Sequence, residues 1–267
     1  MNNGHSHRPF VVANDYLNDP ARLRELMRKN GYIFLRNFAP KDKLLQLRRD
    51  ILAILREAGW VKPDSGDDAI WSGAGPYTES EPEYMKVYKK ILYLPSFEGY
   101  PEDQKLMDFV SKIVEGQPIC QKTRIGRITF PQNVTQTTPP HQDFYYIAGS
   151  PQTYTMWTPM VDCPVQQGGL AVMRGSHRGG FIEHKEGIGT KYAGGGVPEE
   201  RMPEGEDVEW HTGDFALGDL LLFHSHTIHK AMPNLTKDRI RLSTDNRYFR
   251  QGDAVVPRLM EARHHGL

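Results

Sequence analysis

GDLLLFHSHTIHKAMPNLTKDRIRLSTDNRYF, residues 218–249, is the stretch whose reading decides the fold. The apolar run Leu220–Phe223 leads into His224-Ser225-His226-Thr227-Ile228-His229, and RIRLSTDNRYF follows, so two β-strands are expected. Strand alternation groups His229 with Thr227 and Ser225 on one face, and His224 with His226 on the other. Leu220–Phe223 is apolar on both faces, so the pattern leaves open which face turns inward. On the second strand Arg241 and Ser243 share a face. A guanidinium is a rigid fork matched to a carboxylate, and a hydroxyl two residues on adds another donor. The pair suits the distal carboxylate of a dicarboxylate, although an exposed basic strand end paired with Asp238 or Asp245 would have the same pattern.

Upstream, RIGRITF (Arg124–Phe130), DFYYIAG (Asp143–Gly149), TYTMWTPMVD (Thr153–Asp162) and GLAVMRGSH (Gly169–His177) read as short strands punctuated by Pro and Gly. Residues 179–213 are glycine-rich and acidic with little apolar content, which suggests a lid or a disordered loop. The first part is helical in pattern. Leu23, Leu26 and Met27 fall on one helical face before Gly31, YIFLRNF (Tyr32–Phe38) reads as a strand, and Leu44, Leu47, Ile51, Ile54 and Leu55 mark a second helix. A third helix is expected around Asp103–Glu115. Helices first and many strands afterwards predict one mainly β domain over 1–267: a helical flank at about 1–118, a jelly-roll core at about 119–252, and the lid inserted at about 179–213.

Thirty-three basic residues balance thirty-three acidic ones. That balance argues against a nucleic-acid or membrane-surface partner, either of which favours excess Lys and Arg. No apolar run approaches the length of a spanning helix, the N-terminus lacks a secretory pattern, and Cys120 and Cys163 have no metal or redox spacing. A cytoplasmic protein acting on a small molecule is expected.

His141-Gln142-Asp143 supplies the remaining chemistry. On a strand, residues two apart point the same way, so an imidazole and a carboxylate can grip one ion. Two histidines and one carboxylate form the ligand set of non-haem Fe(II) oxygenases, with open positions for a co-substrate and O₂. Alone, the tripeptide equally describes a histidine hydrogen-bonded to an aspartate on an exposed strand.

Order and combination carry more. TPPHQDFYYI, YTMWTPMVDCPVQQGGLAVMRGSH and the 218–249 stretch together resemble the phytanoyl-CoA dioxygenase family of Fe(II)/2-oxoglutarate oxygenases, over about Thr123 to Phe249. The resemblance implies a double-stranded β-helix, a distorted cupin-like jelly roll. It makes His141, Asp143 and His229 the metal ligands, His229 being the histidine followed shortly by an asparagine, Asn234. It implies a 2-oxoglutarate arginine that either Arg239 or Arg241 fits, with Arg241 preferred because Ser243 completes an Arg-x-Ser arrangement. Thr129 and Gln136 are further candidate 2-oxoglutarate contacts, and Tyr145 and Trp157 candidate substrate contacts. Gly175-Ser176-His177 also resembles the family's turn there, with His177 read as structural or near the pocket mouth. Because Asp143 is present, oxidation, typically hydroxylation with release of succinate and CO₂, is expected rather than halogenation. No catalytic side chain beyond the ligands is required. The rival readings are a non-catalytic jelly-roll ligand binder and a Zn-dependent cupin-like enzyme. Neither needs the Arg-x-Ser pair beside three ligands.

Overall fold

Asp19 and Pro20 start the first helix as their residue types dictate. The Asp19 carboxylate accepts the Arg22 amide at 3.0 Å, and Pro20 fills a position that has no intrahelical donor to lose. A computed structural model describes residues 7–75, 77, 79, 81–132, 137–187, 194–205 and 208–261. Along the chain it has α1 (Pro20–Asn30), β1 (Tyr32–Leu35), α2 (Lys41–Glu57), α3 (Pro82–Leu92), α4 (Pro95–Gly99) and α5 (Gln104–Val114). There follow β2 (Pro118–Cys120), β3 (Ile125–Thr129), α6 (Phe144–Ile147), β4 (Tyr154–Pro159), β5 (Leu170–Met173), β6 (Lys185–Glu186) and β7 (Gly195–Gly196). The last strands are β8 (Trp210–His211), β9 (Leu220–His224), β10 (His229–Ala231) and β11 (Arg241–Arg250).

Among the described residues the strands form three antiparallel sheets. The largest runs β1-β9-β4-β11-β2, with β3 also on β11; a second runs β10-β5-β8; β6 and β7 pair alone. The large sheet is not confined to the later part of the chain, because β1 pairs with β9 from Tyr32↔Phe223 to Leu35↔Leu220.

The two-sided apolarity of β9 now has its reason. Leu220 and Leu222 join Ile33, Leu35, Met156 and Leu242 in a core shared with α1, α2, α3 and α5. Leu221 and Phe223 face the other way, joining Tyr32, Phe34 and Trp157 against Leu170 and Val172 of the second sheet. Burying each such side chain stabilises the fold by about 1.5–3 kcal/mol, so both faces of this strand resist polar substitution. The helices cover one face of the large sheet, and the smaller sheet covers the other.

Helix α3 escaped the sequence reading. PEYMKVYKKIL buries Tyr84, Val87, Tyr88, Ile91 and Leu92, a continuous helical stripe with its three lysines on the other face, so the periodic signal was present. The reading of Asp143–Gly149 as a strand is corrected: Phe144–Ile147 form a short helix with Asp143 at its N-cap, closed by the Ile147 amide on the Asp143 carbonyl at 3.1 Å. The left-handed Ala148 (φ 47°) and Gly149 (φ 74°) then turn the chain. Three aromatics in a row favour a strand by propensity, and tertiary anchoring overrides it.

Gly31 ends α1 at φ 78°, and a Cβ there would lie 2.5 Å from His177 Nδ1 and 2.7 Å from Thr227 Oγ1. Gly31→Ala is therefore expected to cost about 2–4 kcal/mol, from left-handed backbone strain and overpacking together. The urea midpoint of unfolding would show it. An unchanged midpoint would mean that the α1–β9 junction has more room than the structure indicates.

Candidate metal centre and dicarboxylate pocket

His141 lies just before α6 and His229 at the start of β10, and each one's backbone amide donates to the other's carbonyl at 3.0 Å. This reciprocal bridge brings the rings to 4.1 Å between centroids. Nδ1 of His141 donates to the Pro139 carbonyl at 2.8 Å and Nδ1 of His229 to the Thr227 carbonyl at 3.0 Å, which turns both Nε2 atoms to the same place. Asp143 Oδ1 completes the group, 3.7 Å from His141 Nε2 and 3.8 Å from His229 Nε2. The three residues are buried, and among the described residues they are the one group of three or more His, Cys, Asp or Glu spaced to hold a metal ion. The strand-alternation argument for His141 and Asp143 does not hold, because Asp143 is in the α region (φ −58°, ψ −29°). The chain turns instead, and the pair converges anyway.

The electrostatics suit a cation. Burial would raise the Asp143 pKa, but the Arg247 guanidinium, with the two histidines, outweighs it and holds the carboxyl well below its usual range. Burial, reinforced by His141, pushes His229 down to about 3, so its ring is neutral and Nε2 keeps a lone pair. Arg247 was missed in the sequence. Its Nε and Nη2 donate to Asp143 Oδ2 at 3.3 and 3.2 Å, and the Thr155 hydroxyl donates to the same oxygen. The available signal was parity, since Arg247 is on the same face of β11 as Arg241 and Ser243.

That face carries the second constellation. Arg241 pairs across the sheet with Thr129, and its Nη2 donates to Thr129 Oγ1 at 2.6 Å. Its remaining donors, Nε and Nη1, are buried and find no partner among the described residues, nor does Ser243 Oγ. Burial lowers the Arg241 pKa, the physical cost of holding a guanidinium among apolar groups. Buried donors without acceptors are rare unless a ligand satisfies them. Arg239 points elsewhere: it is largely exposed, 3.9 Å from Asp68. Asn234 anchors this corner, its Nδ2 donating to the carbonyls of Thr129 and Arg239 at 3.1 and 2.8 Å. Gln136 lies outside the described residues.

A cavity opens beside His141 and Asp143, lined among others by Gln121, Thr123, Arg127, Tyr146 and Ile147. Tyr145 is not among the lining residues, which corrects its placement. In the α6 turn it stacks on His184 at 4.6 Å and presses against Gly195, while the next residue, Tyr146, lines the cavity. Trp157 sits in the core, 5.9 Å from the Arg241 guanidinium and 4.6 Å from the Phe215 ring. Gln142, between two ligands, is fully buried and ties the 180–182 segment and the His226 carbonyl to this loop. Within 179–213, described residues pack close to the centre: the Val197 amide donates to the Pro140 carbonyl at 2.8 Å and the Tyr146 hydroxyl to the Gly195 carbonyl at 2.9 Å.

His224 and His226 belong to a separate cluster with His177, at 5.5 Å (His177–His224) and 5.3 Å (His224–His226) between ring centroids. Burial pushes His177 down to about 4, and burial with its two histidine neighbours pushes His224 down to about 3. His224 Nδ1 accepts the His226 amide at 3.1 Å, which requires that nitrogen unprotonated. Above the unfolded value of about 6.5 both states are neutral. Below it only the unfolded chain takes up protons, so stability falls as pH drops from about 6.5 toward 4. His224→Gln is expected to flatten that loss, read as the melting temperature of variant and wild type across this range. Parallel curves would remove the cluster from the acid sensitivity.

Two buried imidazoles and one carboxylate that could hold one metal ion, together with a buried arginine, form a donor set suited to a mononuclear metal oxygenase. The profile of the phytanoyl-CoA dioxygenase family matches residues 27–243, and the chain belongs to that family. It is an iron- and 2-oxoglutarate-dependent oxygenase. Among its relatives are 1-deoxypentalenic acid 11-beta-hydroxylases of Streptomyces exfoliatus and Streptomyces arenae, 24% and 25% identical, each over 89% of this chain and 84% of the relative. Among solved structures, the epimerase SnoN from nogalamycin biosynthesis, in complex with Fe3+, alpha ketoglutarate and nogalamycin RO, is similar at TM-score 0.64 and 18% identity, covering 90% of this chain and 87% of that one. EvdO2 from Micromonospora carbonacea var. aurantiaca is similar at TM-score 0.59 and 19% identity, covering 94% and 96%. At such identities the structural likeness is one of fold. Among the described residues no helix is long and apolar enough to cross a membrane.

Proposed function

We propose that this chain hydroxylates a C–H bond of a small metabolite within a double-stranded β-helix, with His141, Asp143 and His229 holding iron(II) and Arg241, Ser243 and Thr129 holding 2-oxoglutarate. The observation that carries the reading is the set of buried, unpartnered donors on Arg241 and Ser243. Arg241 Nη1, with the second N–H of Nη2, offers the end-on guanidinium fork that matches the distal carboxylate of a dicarboxylate, and the Ser243 hydroxyl is a further free donor. A binder of neutral ligands, or a hydrolytic zinc site, gives no reason to bury that charge.

Bound there, iron(II) and 2-oxoglutarate would activate O₂, one oxygen atom ending in succinate as CO₂ leaves and the other in the hydroxylated product. The protein supplies position and dryness. His141 and His229 would present their Nε2 atoms and Asp143 one carboxylate oxygen to the metal, and Arg241 would fix the co-substrate's far end. Gln121 Oε1 is buried with no partner among the described residues, and Gln121 lines the cavity together with Ile125, Ile147 and Leu259. This lining suits a compact substrate, mostly hydrocarbon, that carries a hydrogen-bond donor. The 194–197 segment acts as part of a lid over it.

Aerobic incubation with iron(II) and 2-oxoglutarate, followed by mass spectrometry, tests the reading. Succinate formation in wild type, stimulated by some members of a panel of hydroxylated terpenoid and polyketide compounds, is expected. An absence of succinate under all conditions, with iron bound, would overturn it.

A further inference from the structure

We propose that Arg247 and Thr155 are positioning residues that keep Asp143 a one-oxygen ligand, and so preserve the coordination positions that the co-substrate and O₂ require; this rests on the function proposed above. The two oxygens of Asp143 have different surroundings. Oδ1 faces the histidine nitrogens at 3.7 and 3.8 Å, whereas Oδ2 receives the Thr155 hydroxyl and two guanidinium nitrogens of Arg247 at 3.2 and 3.3 Å.

The donors themselves are fixed by sheet register. Thr155 on β4 and Arg247 on β11 are directly paired, and both are buried, so neither follows the carboxylate if it rotates. Three donors converging on Oδ2 occupy the directions in which that oxygen could bind a metal. The arithmetic of a six-coordinate ion makes this matter. Two imidazoles and one carboxylate oxygen would leave three positions on iron(II), enough for a chelating 2-oxoglutarate and O₂. A carboxylate free to swing to two-oxygen binding would take one of the three. Arg247 also lines the cavity beside the metal ligands, so the clamp borders the space that a substrate enters.

The clamp does not duplicate the arginine pocket. Arg241 is six residues earlier on the same strand face, and its bonded partner is Thr129. Removal of one arginine should therefore leave the other's ligand geometry in place.

The test is an anaerobic two-step titration of the full chain, iron(II) first and then 2-oxoglutarate at saturating iron, with the visible charge-transfer band followed. Wild type is compared with Thr155→Val, Arg247→Met and Arg247→Lys, and thermal unfolding of each metal-free protein is measured in parallel. Thr155→Val preserves shape and removes one donor, so it reports even if Arg247→Met folds poorly. The expected result is a loss of iron affinity of about 10–100-fold in Arg247→Met, as for other groups that orient metal ligands. At saturating iron the 2-oxoglutarate affinity should fall about tenfold further in Arg247→Met and measurably in Thr155→Val, with partial rescue in Arg247→Lys. A residue of purely structural value would lower the melting temperature yet leave 2-oxoglutarate affinity at saturating iron unchanged, and that outcome overturns the inference. If wild type binds iron but gives no band, the underlying function is what fails.

Discussion

His229→Ala is expected to abolish iron-dependent succinate formation and to weaken iron(II) binding by more than about 100-fold, beyond the range seen when only an orienting partner is lost. The size follows from how the site is built. His229 supplies one of three donor atoms, in a buried position where no other described His, Cys, Asp or Glu is spaced to replace it. His224 and His226 lie in the neighbouring cluster with His177 and are held there by an edge-to-face ring contact and a backbone hydrogen bond. The backbone bridge to His141 uses main-chain atoms, so the variant keeps the geometry that brings the loop to β10. His224→Ala is the matched control, and its iron affinity should stay within a fewfold of wild type. Calorimetric iron titration under nitrogen measures both. If His224→Ala proved the damaging change, the ligand assignment would be wrong.

Arg241→Met should act differently. Iron binding is retained, and the 2-oxoglutarate dissociation constant rises about 100-fold, the equivalent of about 3 kcal/mol for lost charge-assisted hydrogen bonds. The same change should stabilise the ligand-free protein by about 1–3 kcal/mol, because two buried donors without acceptors disappear and an apolar side chain of similar length fills the space. Weaker co-substrate binding together with a higher melting temperature is a signature that few other roles for a buried arginine would give. A lower melting temperature with unchanged 2-oxoglutarate affinity would make Arg241 a structural residue.

Much of this site was legible before any coordinates. Strand alternation left three histidines open, and the resemblance to the phytanoyl-CoA dioxygenases, through a histidine followed shortly by Asn234, pointed to His229; Arg-x-Ser parity put Arg241 and Ser243 on one face, as β11 has them. What the sequence could not convey is contact between strands far apart in the chain. Arg247 bonding Asp143 depends on β11 lying beside β4 in one register, and parity with Arg241 and Ser243 places it on their face without naming Asp143 as its partner. The turn at Asp143 was misread for a related reason. FYYI has strand propensity, and only its anchoring, with the Phe144 amide on the Ser225 carbonyl at 3.1 Å, makes it helical. Tyr146, rather than Tyr145, consequently lines the cavity beside the metal ligands. On β9 the sequence left the inward face open, because both faces are buried, one by helices and one by the second sheet.

The most direct test of the account is anaerobic titration of the iron(II)-loaded wild-type chain with 2-oxoglutarate, recorded in the visible region beside His229→Ala and Arg241→Met. The account predicts a weak charge-transfer band in wild type, shifted to much higher 2-oxoglutarate concentration in Arg241→Met and absent in His229→Ala. Iron binding in wild type with no band at any 2-oxoglutarate concentration would contradict it.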